Sequence, residues 1–221
     1  MKYPQSVVLA LVFGLMASAP IFAAEAVPAI TPTAAVELFN GKDFTGWEFF
    51  HRDDADPKTI WKVEDGVMKC LGKPDGYART VNAYKDYQVT VEWRFIKPGN
   101  TGVTVHMQLP DKVWPLCIEC QGMHDHQGDF WLQGGATAKD HDGTTREQRH
   151  LPLAIPSNEK PVGEWNTFRV ICDGSSVKIV VNGKLMNEAT DCSVQSGFIG
   201  LQSEGAEIEI RKVTLEPLPR E

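Results

Sequence analysis

No stretch of this chain carries a sustained 3.6-residue apolar period. What recurs is short alternation, best developed over residues 87–96, where Val89, Val91, Trp93 and Phe95 alternate with Gln88, Thr90, Glu92 and Arg94. A period of two places alternate side chains on opposite faces, so this reads as a strand with one buried face. Comparable runs cover residues 47–50, 60–64, 67–70, 102–109, 116–121, 129–132, 165–173, 176–181, 198–202 and 206–215. Turn residues punctuate them at Glu64-Asp-Gly66, Lys97-Pro-Gly-Asn100, Asp173-Gly174 and Asn182-Gly183. Asn-Gly after Val-Lys-Ile-Val-Val is the strongest hairpin signal, because both residues accept the positive φ a two-residue turn requires. The pattern predicts an all-β chain of two antiparallel sheets packed face to face.

The N-terminus reads differently. Lys2, an apolar run from Val7 to Ala24 and small residues around Ala24 and Ala26 predict a signal peptide over residues 1–24. Gly14, Ser18 and Pro20 interrupt the run, which argues against a membrane anchor. Residues 25–35, rich in Ala, Pro and Thr, predict a disordered lead-in. Residues 36–217 then form one domain, in a mature chain of about 197 residues. Export to the periplasm or the extracellular space follows, with no membrane attachment after cleavage. The net charge of −7 argues against nucleic acid as a partner. Five cysteines leave at least one unpaired. Cys172 and Cys192 flank a predicted hairpin and could bridge it; the alternative is that all five are small buried residues.

Chemistry concentrates in the middle of the chain. Alternation over residues 101–109 puts Thr104, His106 and Gln108 on one face, and alternation over residues 114–121 does the same for Cys117, Glu119 and Gln121. A turn near Lys112 would set His106 opposite Glu119 and Thr104 opposite Gln121. With a turn at residues 97–100, Glu92 and Arg94 would join the same polar face. Such a surface of His, Glu, Gln and Arg suits sugar hydroxyls. Loops over residues 122–128 and 134–161 would rim it. In the first of these, His124, His126 and Asp129 are candidate acid–base groups or metal ligands. Trp114 and Trp131 are candidates for stacking on a sugar ring. The sequence has no G-x-S-x-G, no G-x-x-x-x-G-K-[ST], no G-x-G-x-x-G and no H-E-x-x-H.

Several segments in order carry a resemblance: Leu38-Phe-Asn-Gly-Lys-Asp-Phe-Thr-Gly-Trp47, Glu92-Trp-Arg-Phe95, Gly99-Asn-Thr-Gly-Val103, Ile118-Glu-Cys-Gln121, Gly163-Glu-Trp-Asn166 and Gly200-Leu-Gln202. The chain closely resembles the 3-keto-disaccharide hydrolase domain family over residues 37–215. The resemblance implies a concanavalin- or laminin G-like jelly-roll sandwich in an exported protein acting on oxidised glycosides. It also implies that Glu119, Gln121 and Arg94 face the concave site. The chain departs from the family at His106, where Arg is usual, and at Ser203-Glu-Gly205, where Asp-His-Gly is frequent.

A 3-keto group acidifies the hydrogen on C2. Its removal gives an enolate that expels the C1 substituent, and water then adds. On this reading Glu119 or His106 is the base and His124 or His126 the acid. Arg94, or a divalent cation of the Ca or Mg type held by Glu119 and Asp129, stabilises the enolate. Gln108, Gln121, Trp131 and Glu92 bind the sugar. A classical carboxylate pair, Glu119 with Glu92 or Asp129, is a second route. A non-catalytic carbohydrate-binding module is the alternative class.

Overall fold

The computed structural model describes residues 28–153 and 155–219, so the expected signal peptide lies outside the described residues. The strands in chain order are β1 (Ala29–Ile30), β2 (Val36–Glu37), β3 (Trp47–His51), β4 (Trp61–Glu64), β5 (Val67–Cys70), β6 (Gly76–Thr80), β7 (Ala83–Tyr84), β8 (Tyr87–Phe95) and β9 (Gly102–Met107). They continue as β10 (Cys117–Gln121), β11 (Phe130–Gln133), β12 (His150–Leu151), β13 (Asn166–Asp173), β14 (Ser176–Val181), β15 (Lys184–Ala189), β16 (Phe198–Ser203) and β17 (Ile208–Pro217). A single helical turn, α1 (Arg146–Arg149), precedes β12.

One sheet runs β12-β11-β10-β9-β16-β6-β3 and the other β15-β14-β13-β8-β17-β5-β4. Between them lies the core. Val89, Val91, Trp93 and Phe95 face it from β8, as the alternation predicts, and meet Val103, Val105, Ile118 and Cys120 from the opposite sheet. Trp93 packs on Phe168 with ring centroids 4.7 Å apart. Each such apolar side chain contributes roughly 1.5–3 kcal/mol by leaving water. At the β14–β15 hairpin, Asn182 and Gly183 have φ of 49° and 84°, the two positive values its tight turn needs.

Two expectations are corrected, one strand was missed, and one open alternative is resolved. First, the chain from 97 to 101 does not fold β8 back on itself. It crosses from one sheet to the other, so β8 and β9 are neighbours in sequence but not in hydrogen bonding. Residues 204–207 cross in the opposite direction, from β16 to β17. The two crossings pack closely: a Cβ on Gly99 would lie 1.8 Å from the Cβ of Ala206. Second, β6, next to the edge strand β3, is a strand that alternation missed, because all five of its residues, Arg79 included, are buried. Third, the lead-in is ordered in its described part, where β1 pairs in parallel with β7. Last, all five cysteines are buried free thiols, the second of the two readings.

Candidate active-site cleft

β9 and β10 pair as expected, but two residues out of the expected register. Glu119 lies opposite Thr104, and Gln121 opposite Gly102. His106 does not reach this face. It adopts φ of +56°, and the pairing of β9 with β16 shifts register between Phe198 and Gly200. This bulge breaks the alternation. Val105 and His106 are both buried, while Met107 joins Thr104 on the concave side, its sulfur 2.8 Å from the Thr104 hydroxyl. The His106 ring lies edge-on to Tyr87, and its Nδ1 is 3.0 Å from the Val194 carbonyl. Burial lowers its pKa to about 4, so at neutral pH it is an uncharged core residue.

Arg94 and Glu92 are also elsewhere, because the crossing at residues 97–101 leaves them on the outer face of the second sheet. Arg94 binds Glu209 through Nε at 2.7 Å and stacks over Trp165. Glu92 accepts from Arg211 at 2.7 Å. Gln108 donates to the carbonyls of His106 and Ser196 and is not part of the cleft that Glu119 lines.

The remaining candidates gather at a cleft of about 490 Å³ on the concave face of the first sheet. Glu119 and Gln121 form its floor on β10, with Trp131 and Gln133 beside them on β11. Asp129 and His126 come from the turn before β11, and Arg146, Arg149 and His150 from α1 and β12. Asn100 and Glu204 enter from the two sheet crossings, and the half-exposed Trp114 overhangs from the loop after β9. That loop is tethered by Asp111, which accepts from Tyr77 at 2.8 Å and from Arg79 at 2.9 and 3.0 Å.

Two polar assemblies occupy the cleft. In the first, buried Glu119 accepts from Gln133 Nε2 at 2.6 Å, and Gln133 Oε1 accepts from Arg149. Burial pushes the Glu119 carboxyl up, opposed by hydrogen bonds from Gln133 and Gln202 and by the charge of Arg149. Glu204 is pushed up to about 8, first by burial and then by the negative charge of Glu119. One of its oxygens, Oε2, is buried without a hydrogen-bond partner. Both carboxyls are thus held above the ordinary carboxylate range, and Glu204 keeps its proton at neutral pH.

The second assembly centres on buried Asp129. Its Oδ2 lies 2.7 Å from His150 Nε2 and 3.3 Å from His126 Nδ1, and its Oδ1 accepts the Leu153 amide at 2.8 Å. The His150 ring stacks on Trp131, with centroids 4.2 Å apart and planes 10° from parallel. The Arg146 guanidinium lies 5.0 Å from the same Trp131 ring. Trp131 thus lines the cleft with one face of its ring already covered by His150. Both Asp129 oxygens are engaged as well. The group of three metal-ligating side chains that the described residues bring together, His124, Asp125 and Glu159, contains neither Glu119 nor Asp129. His124 sits beside the cleft, with Nδ1 2.6 Å from Glu159.

Sequence reasoning missed Gln133, Arg146, Arg149, His150 and Glu204. The long loop over residues 134–161 was the available signal for Arg146, Arg149 and His150. Thr145 caps α1 by accepting the Gln148 amide at 3.2 Å, and the i, i+3 spacing brings Arg146 and Arg149 to one side of the turn.

Comparison with known proteins bears on this cleft. A family model described as a 3-keto-alpha-glucoside-1,2-lyase-like domain matches residues 34–216. A 3-keto-disaccharide hydrolase of Bacteroides thetaiotaomicron is 28% identical over 156 residues, 62% of this chain and 51% of that protein. The chain thus spans about half the length of this curated relative. Among solved structures, a protein of Parabacteroides distasonis classed with the glycosyl hydrolases aligns with a TM-score of 0.63 and 23% identity, over 84% of this chain and 94% of its own. A Bacillus licheniformis beta-glucanase aligns with a TM-score of 0.53 and 14% identity, over 83% and 98%. At these identities the structural likeness establishes the sandwich fold.

Proposed function

Since the chain belongs to the 3-keto-alpha-glucoside-1,2-lyase-like domain family, we propose that its cleft breaks the glycosidic bond of a 3-keto-glycoside by elimination across C1 and C2. The observation that carries this reading is the Glu119–Glu204 pair: two carboxyls of raised pKa in one cleft, flanked by Arg146 and Arg149. Elimination needs a base at C2 and an acid at the leaving oxygen. Glu119 as the ionised member and Glu204 as the protonated one supply both at neutral pH.

In this mechanism ionised Glu119 removes the C2 proton. Electrons move into the C3 carbonyl, giving an enolate. Arg146, which among the described residues pairs with no carboxylate, stabilises that charge. The enolate re-forms the ketone, a C1–C2 double bond forms, and the C1–O bond breaks. Glu204 protonates the departing oxygen. Addition of water across the C1–C2 double bond completes net hydrolysis. His150, held through Nε2 by Asp129, is placed to direct that water. The same reading has the protein act in the periplasm or outside the cell, on the strength of Lys2 and the apolar run to Ala24.

The test is a chromogenic 3-keto-glucoside offered beside its unoxidised parent. Release of the chromophore from the keto form alone is expected. Equal release from both would assign the cleft to a conventional carboxylate pair, and binding without release would make the chain a carbohydrate-binding module.

A further inference from the structure

Beside the cleft, the turn after β10 meets the segment before β13. Here His124 Nδ1 lies 2.6 Å from Glu159 Oε1, and His124 Nε2 lies 3.8 Å from Asp125 Oδ2. One ligand atom from each of the three residues falls within 4.8 Å of the other two. Glu159 is the informative member. Its side chain is 92% buried, its Oε1 also accepts the Asp125 amide at 2.9 Å, and its Oε2 is buried with no hydrogen-bond partner. A buried carboxylate with a bare oxygen, next to a second carboxylate and an imidazole, is a ligand set that a cation completes.

We infer that His124, Asp125 and Glu159 form a binding site for a divalent transition-metal cation of the zinc class. Two carboxylates balance the charge of such an ion, and an imidazole ligand favours zinc over calcium or magnesium. Tetrahedral ligands at ~2.1 Å from the ion stand about 3.4 Å apart, so small side-chain rotations bring these groups to bonding distance. Asp125 is largely exposed and leaves a path for the ion to enter. Neither Glu119 nor Asp129 takes part. The ion would join the turn over residues 122–128, which carries His126 into the cleft, to the segment over residues 155–161.

The test uses tag-free, chelator-treated full-length protein, titrated calorimetrically with zinc chloride and separately with calcium chloride. One equivalent of zinc should bind and raise the melting temperature, with calcium at least tenfold weaker. Glu159→Gln should weaken zinc at least tenfold. Asp125→Asn, at an exposed position that leaves the packing intact, should do the same with an unchanged circular dichroism spectrum. Asp129→Asn should bind zinc as the parent does. Absence of zinc binding, equal binding by the Asp125→Asn variant, or loss confined to Asp129→Asn would each overturn the assignment.

Discussion

Both sheets present a polar face built from strands of the same alternating kind, yet the two faces treat their charges in opposite ways. On the outer face of the second sheet, Arg94 meets Glu209, Arg211 meets Glu92, and both guanidinium groups lie over Trp165 within 5 Å of the ring centroid. The four charges of these two pairs are each matched by an opposite partner. On the concave face of the first sheet, Glu119 and Glu204 are withdrawn from water, and the charge of Glu119 raises Glu204 further. Pairing ions in solvent lowers their reactivity; burying like charges together raises it. A polar face becomes a site through uncompensated charge rather than through polarity.

The strongest way to break this comparison is Glu119→Gln. Loss of the base should lower kcat/KM on a 3-keto-glucoside by about 10²-fold or more, the range for general acid–base groups. Steady-state kinetics showing full turnover would remove Glu119 from the mechanism. Glu204→Gln sharpens it through pH. With the parent protein, log kcat/KM should fall above about pH 8 as Glu204 gives up its proton, and the variant should lose this limb.

The same group links stability to pH. Folded Glu204 holds its proton up to about 8, whereas the ordinary value is 4.5. Between these values the folded state binds more protons, so stability falls as pH rises. Melting temperature should decline from pH 5 to 8.5, and less steeply in Glu204→Gln. His106→Asn, a residue that tolerates the left-handed backbone, should leave turnover within threefold. It should still cost about 1–3 kcal/mol of stability in urea titration through lost buried contacts. Smallest of all, Arg94→Ala should leave kcat/KM unchanged and remove an ion pair worth ~0.2–1 kcal/mol.

Much of the sandwich was legible because half-buried strands and their turns leave a local signature. The strands around Trp93, Ile118 and Phe168 needed only alternation, and Asn182-Gly183 its backbone preference. Glu119, Gln121, Asp129 and His126 reached the cleft as expected because an unbroken strand or a tight turn carries each. The failures have three physical origins. His106 was misread because one residue in the left-handed region changes the parity of everything after it. Arg94 and Glu92 were misread because a four-residue turn does not reveal whether it joins strands within a sheet or passes between sheets. Glu204, Arg149 and His150 were missed because their positions depend on contacts with segments far away in sequence.

The two crossings carry a consequence for how this cleft can change. Glu119 stands on the sheet, but Glu204 and Asn100 stand on the segments that span the sandwich, locked together where Gly99 meets Ala206. Glu204 is therefore anchored twice, by the end of β16 in its own sheet and by the packed crossing behind it. The acid of the pair thus depends on a contact that no ligand touches. A larger side chain at Gly99 would force the crossings apart and move Glu204 while leaving Glu119 on its strand.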